Sequence, residues 1–150
     1  MPSAEKAPDD LKIVVADSAQ RRAQAAAIRV AVFVEEQGIP LSAEFDLEDF
    51  VAVHVLALRK DEPVGTARAL LRGETARLGR IAVLPVHRGR GVGAALVDFL
   101  CNHCVAHSVR RVIVHAQLRA LPFYQRLGFM ITSSVFAEDG IAHCRMERTL

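Results

Sequence analysis

The stretch Ile81-Ala-Val-Leu-Pro-Val-His-Arg-Gly-Arg-Gly-Val-Gly-Ala94 carries the most specific chemistry in this 150-residue chain. A run of branched residues reaches Pro85, passes through a turn with glycines at 89, 91 and 93, and enters an amphipathic helix. Pro85 removes a ladder donor and favours a break in the sheet. The glycines let backbone approach a ligand without Cβ clashes. The helix start presents free N–H groups and a positive dipole end, so the turn is a site for an anion, naturally a pyrophosphate. Arg88 and Arg90 add charge beside it.

Two common phosphate loops do not fit. A Walker loop needs Gly-Lys-Ser/Thr, and Gly93 is followed by Ala94-Ala95. A dinucleotide loop needs G-x-G-x-x-G, whereas Gly89, Gly91 and Gly93 simply alternate. The pattern met by Arg88, Gly91 and Gly93 is R-x-x-G-x-G, which resembles the coenzyme A pyrophosphate signature of the GNAT superfamily of N-acetyltransferases. Downstream, Ala120-Leu-Pro-Phe-Tyr-Gln-Arg-Leu-Gly-Phe129 resembles that superfamily's A-x-x-F-Y-x-x-x-G-F segment. Tyr124 is the only tyrosine in the sequence. In relatives this phenol lies near the thioester sulfur, and a group of pKa about 10 is a reasonable acid toward a departing thiolate.

The resemblance covers Leu11 to the C-terminus. Within the superfamily it is nearest the ElaA-like branch, through Val32-Phe-Val-Glu-Glu-Gln37, Glu44-Phe-Asp46 with Asp49, His54, Ala116-Gln117 and Glu138-Asp-Gly-Ile-Ala-His143. It implies acetyl-CoA as co-substrate, transferred directly to an amine with no metal. It implies cofactor contacts along Ile81, Ala82 and Val83, at Arg88, Gly89, Arg90, Gly91, Val92, Gly93 and Ala94, and at Gln117. Tyr124 is the expected general acid.

A base must also make the amine neutral. His54, on a central strand, and His143, on the last hairpin, are the best-placed imidazoles; Glu35 and Glu36 are alternatives. Six of the seventeen acids lie between Glu35 and Asp49 without a Lys or Arg among them. Two readings stand side by side. Phe33, Glu44 and Asp46 border an acceptor groove that favours a cationic amine, or Glu44, Asp46 and Asp49 pair with Arg29 and Arg68. Cys101, Cys104 and His107 spread over about a third of a helix circumference and lack a second ligand cluster, so they read as helix packing rather than a zinc site.

Around these residues the pattern is α/β. Leu11–Ala16 reads as a strand and 19–33 as an Ala-rich helix behind the caps Asp17 and Ser18. Residues 35–50 read as a loop. Strands are expected at 50–59, 64–71 and 76–84, a helix at 89–107, and a buried strand at 111–115. A short helix at 118–127 stops at Gly128. The segments 129–136 and 141–147 close the chain as a hairpin. The resemblance arranges these as the GNAT fold: a mixed sheet of six to seven strands, splayed between the fourth and fifth, with helices on both faces.

Composition bounds the rest. Half the residues are apolar (51%), which excludes a disordered polymer. The net charge of +2 is too small for a nucleic-acid footprint. No apolar run approaches the roughly 20 residues that span a bilayer. Three cysteines suit a reducing compartment. The expectation is a short solvated tail at 1–10 and one catalytic domain at 11–150. It is cytoplasmic, without nucleic-acid or membrane partners, and the resemblance allows a homodimer. Two rivals remain. Arg29 with Phe33, the acids 44, 46 and 49, and Arg68 resemble the polar core of acyl-homoserine-lactone synthases, although the chain has no tryptophan. A non-catalytic acetyl-CoA sensor is the other.

Overall fold

The computed structural model describes residues 10–150. The stretch read as a tail lies outside the described residues, apart from Asp10. The chain opens with strand β1 (Leu11–Val15) and helix α1 (Ala19–Arg29). Ser18 caps α1 by accepting the Arg21 N–H at 3.1 Å, as a short hydroxyl side chain does at an exposed first turn. Helical structure does not stop at Phe33. It widens into a π-helix over Val30–Glu36, a form that recurs at functional sites. The segment expected to be a bare loop then folds into α2 (Leu41–Glu44) and a 3₁₀ turn at Leu47–Phe50.

Four strands and a helix follow: β2 (Val53–Arg59), β3 (Glu62–Arg72), β4 (Thr75–Val83), α3 (Val92–Ala106) and β5 (Arg111–Gln117). Helix α3 begins three residues later than the sequence suggests. Gly89 and Gly91 take φ of +72° and +85°, which is left-handed backbone and cannot belong to the helix. Helix α4 (Leu121–Arg126) ends at Gly128, with φ +91°.

The segment read as one strand over 129–136 is two short ones, β6 (Met130–Ile131) and β7 (Phe136–Glu138). Both lie antiparallel to β8 (Ile141–Thr149). The split has a local cause. Ser133 Oγ accepts the Arg145 N–H at 2.8 Å, so a side chain substitutes for the ladder carbonyl and the strand is interrupted.

The strand order is β1-β2-β3-β4-β5-β8-β6, with β7 alongside β8. Among the described residues the count is therefore eight rather than six to seven, the difference being the split strand. Every pairing is antiparallel except β4–β5. Two cores cover the two faces. On one, α3 buries Val92, Leu96, Leu100 and Cys104 against Val55, Ala67, Leu78 and Val114. On the other, Ala25, Ile28, Val32 and Phe33 pack on Leu56, Leu58 and Ala82. Among the described residues, no helix is long and apolar enough to cross a membrane.

Candidate active site

Strands β4 and β5 pair for four residues, Thr75 to Leu78 with Arg111 to Val114, and then part. Beyond Leu78, β4 keeps its β3 neighbour but crosses it with a bulge. Arg68 faces Gly79 and Thr66 faces Ala82, so Arg80 and Ile81 stand opposite Ala67 alone. Arg80 takes φ +51° there, a strained conformation for an arginine. Bulges bend strands away from their neighbours, and this one helps to open a cleft of about 980 Å³ between the diverging strands.

The glycine turn forms one end of the cleft. Helix geometry leaves the N–H groups of Val92, Gly93 and Ala94 without intrahelical acceptors. The Arg88 N–H, expected to serve the same site, instead donates to the Pro85 carbonyl at 3.2 Å. A Cβ on Gly93 would meet Phe123 Cζ at 3.2 Å, so the residue keeps helix and ring in close contact. The Arg88 guanidinium reaches across the entrance to Glu36, with nitrogen–oxygen distances of 2.7 and 2.8 Å. Its Nε also donates to the Val83 carbonyl at 2.8 Å. The Arg88 hydrogen bonds to Glu36 hold that carboxyl below the usual carboxylate range. Beside it, Gln117 Nε2 donates to Gln37 Oε1 at 2.9 Å. The end of the π-helix is thus tied to both lips of the split.

Tyr124 lines the same cleft and is 8% exposed. Its ring meets Phe123 and Phe129 edge-on, with centroids 4.9 and 5.5 Å away. Burial drives its phenol well above the ordinary tyrosine range, so it stays protonated at any physiological pH.

Phe33, Glu44 and Asp46 all line the opposite end. Here the two readings of the acidic segment separate. Arg29 Nε donates to Glu44 Oε2 at 2.9 Å and Arg29 Nη1 to Asp49 at 2.7 Å. Arg68 Nη1 donates to Asp46 at 2.8 Å and to Asp49 at 2.7 Å. Arg80 Nε lies 3.2 Å from Glu44 Oε2, and Arg77 Nη2 lies 2.7 Å from Glu48. The carboxylates are therefore held by arginines, and the wall is not the free anionic surface that the acidic run suggests. For Asp49, burial opposes the charged form, but hydrogen bonds from Arg29, the Asp46 N–H and Arg68 win and hold it far below the usual range. For Glu44, burial wins and its carboxyl is pushed up.

The two histidines singled out in the sequence fall in different places. His54 Nε2 donates to the Asp49 carbonyl at 2.8 Å and is not among the residues lining the cleft. The segment around Asp49 buries it, so His54 stands behind the wall of the cleft rather than in its lining. His143 does line the cleft, but it is 6% exposed, and its Nδ1 donates to the Ile141 carbonyl at 2.7 Å. Sequence reasoning passed over His115, which also lines the cleft and whose Nδ1 lies 3.0 Å from Glu138 Oε1. Strand alternation was the available signal: Val112, Val114 and Ala116 are buried in one core, so His115 and Gln117 belong to the other face. Cys101 and Cys104 are buried on α3, and burial pushes the Cys104 thiol up to about 11.

A family model for the acetyltransferase (GNAT) domain matches residues 29–150. The chain belongs to the GNAT acetyltransferase family. The N-acetyltransferase YjcF of Bacillus subtilis is 31% identical over 137 residues, 91% of this chain and 98% of that one. ElaA of Escherichia coli is 35% identical over 127 residues, 81% and 82% of the two chains. The crystal structure of ElaA superposes with a TM-score of 0.81 over 92% of this chain and 97% of its own. An aminoglycoside 6′-N-acetyltransferase complexed with coenzyme A shares the fold, at a TM-score of 0.76 and 17% identity over 92% and 96%. This protein is accordingly an acyltransferase.

Proposed function

We propose that the protein transfers an acetyl group from acetyl-CoA directly to the amine of a small acceptor. The observation that carries this reading is the coincidence of three features in one cleft. The unpaired edge of β4 from Gly79 to Val83 forms one side, the glycine turn at the start of α3 closes one end, and Tyr124 stands between. Acetyl-CoA supplies the activated acyl group. N–H groups of Gly89, Arg90, Gly91, Val92, Gly93 and Ala94 hold the pyrophosphate, aided by the Arg88 and Arg90 side chains. Ile81, Ala82, Val83 and Gln117 flank the pantetheine arm. The Val83 carbonyl already accepts from Arg88 Nε and keeps a second lone pair for the pantetheine arm.

Tyr124 serves as the acid. With its phenol pushed up by burial, it acts chiefly as a hydrogen-bond donor to the developing thiolate, and proton transfer completes as charge leaves the acyl carbon. Phe33, Glu44 and Asp46 shape the acceptor end, and His143 lies close by. Since arginines hold the carboxylates, the cleft supports a small primary amine without a requirement for extra positive charge. The three buried free cysteines support a reducing, cytoplasmic setting.

Isothermal titration with acetyl-CoA, desulfo-CoA and ATP tests the binding half. Micromolar binding of the first two without ATP is expected, and no acetyl-CoA binding would sink the reading. Release of free CoA in the presence of neutral, anionic and cationic amines tests the transfer half. Binding without release from any amine would favour the sensor reading instead.

A further inference from the structure

We propose that His115 is the base that takes the proton from the acceptor's ammonium group, and that Glu138 positions it; this rests on the acetyl-transfer reading above. His115 is the first β5 residue beyond the last β4–β5 pair, Leu78 with Val114. It therefore stands at the apex of the split, level with Gly79 and beside the Arg80–Ile81 bulge. Its side chain lies on the face away from the α3 core and lines the cleft.

The surroundings fix both its orientation and its tautomer. Glu138 reaches over from β7, and its Oε1 lies 3.0 Å from Nδ1. A carboxylate accepts the Nδ1–H and leaves the lone pair on Nε2, which is the arrangement a general base needs. Phe136 meets the imidazole edge-on at 5.3 Å and stacks on His143 at 5.9 Å. The ring is thus held by a carboxylate and an aromatic face. Yet 32% of the side chain remains exposed, enough to meet a substrate.

Of the other titratable groups lining the cleft, Glu36 is held by Arg88, Glu44 and Asp46 by arginines, His87 Nδ1 accepts from Arg59, and His143 is buried beneath Phe136. The charged groups facing His115 are Glu138 from β7, Asp139 in the following turn, and Arg145, its partner on β8. Further off are His143 on β8, Arg119 after β5, and Arg77 and Arg80 across the split. Arg145 pairs with Glu147 at 2.8 Å, and Glu138 is the acidic side chain in hydrogen-bond contact with the imidazole.

The step balances. Nε2 takes one proton from the ammonium nitrogen. The freed amine bonds to the acetyl carbon as the carbon–sulfur bond breaks, with its electron pair leaving on sulfur. The sulfur receives the proton of Tyr124, and the nitrogen's remaining surplus proton returns to the phenolate through solvent.

The test compares butylamine, an ammonium ion near neutral pH, with hydroxylamine, which is already neutral there. In steady-state CoA release, the wild-type protein should use both. His115→Asn should lose about 10²-fold or more in kcat/KM with butylamine and less than tenfold with hydroxylamine. It should also lose the acid limb of the butylamine pH profile while binding acetyl-CoA as before. Glu138→Ala should lower kcat with butylamine and leave its KM and the hydroxylamine rate nearly unchanged, because the ring loses the acceptor that fixes its Nδ1–H. Glu138→Gln, whose amide oxygen still accepts, should recover much of the loss. Equal losses on the two amines, or an unchanged rate and profile in His115→Asn, would overturn the assignment. No transfer by the wild type to either amine would instead bring down the acetyl-transfer reading, and the role of His115 with it.

Discussion

At the scale of single residues, the cleft holds groups whose partners in this structure are the ones a ligand would replace. Arg88 is bound to Glu36 and to the Val83 carbonyl, although both of its partners border the expected cofactor path. Glu36 therefore competes with the pyrophosphate for the guanidinium. Exposed pairs of this kind contribute about 0.2–1 kcal/mol, so Glu36→Ala should tighten acetyl-CoA binding by up to roughly fivefold by titration calorimetry, whereas Arg88→Ala should weaken it. Tyr124 is predicted to affect chemistry and not binding. Tyr124→Phe keeps the ring contacts with Phe123 and Phe129 and removes only the donor. Turnover should fall by about 10²-fold with the acetyl-CoA Kd unaltered, and an unchanged kcat would remove the phenol from the mechanism. Tyr124 and the glycine turn were legible in the sequence because their spacing is local. His115 and Glu138 lie far apart in the chain, on β5 and β7, and only the sheet register reveals them as a pair.

Among the elements, the segment from α2 through the 3₁₀ turn at 47–50 shows why composition misleads about a loop. Its acids leave two readings open in the sequence, an acceptor groove or ion pairs with Arg29 and Arg68, because the arginines that hold them, Arg29, Arg68, Arg77 and Arg80, all come from other elements. Asp49 is the hinge of this network. It accepts from Arg29 and Arg68, whose side chains are 4% and 3% exposed, and also from the Asp46 N–H. Asp49→Ala would leave two buried guanidinium groups short of a counter-ion, at a cost of about 3–5 kcal/mol. For a chain of this size that is a fall in Tm on the order of 10 °C. The pH dependence has a definite sign. Asp49 is held below its unfolded value of about 3.9, so its contribution is present above about pH 4 and lost as the pH falls further. Glu44 runs oppositely: raised by burial, it disfavours folding as the pH rises through its folded value. Thermal melts of the wild type and of Asp49→Ala between pH 3 and 7 should therefore converge on the acid side. Parallel curves would show that Asp49 is not the titrating group.

At the scale of the whole molecule, most of the architecture was readable because each strand and helix announces itself by its own period. Helix α3 is an example, with Leu96, Leu100 and Cys104 at four-residue spacing and all fully buried. The π-helix and the division of β6 from β7 were not readable, since one depends on packing over the cleft and the other on a serine accepting a distant N–H. The split has a mechanical consequence. Strands β1 to β4 and β5 to β8 form two halves of the sheet that meet through four parallel pairs and the packing of α3. A ligand lying between the diverging ends bridges the halves and binds only the folded state. At a concentration of about 100 Kd, such a ligand stabilises by about 2.7 kcal/mol, which predicts a rise in Tm on the order of 5–10 °C. Acetyl-CoA and desulfo-CoA should both produce it and ATP should not. The accompanying protection from hydrogen exchange should concentrate at 79–83, 89–94 and 115–117, along the diverging edges of β4 and β5 and the glycine turn that lines the same cleft. Protection spread evenly over the sheet would mean that the ligand binds elsewhere, because only occupation of the split adds partners at those edges and leaves the closed ladders of β1 to β3 unchanged.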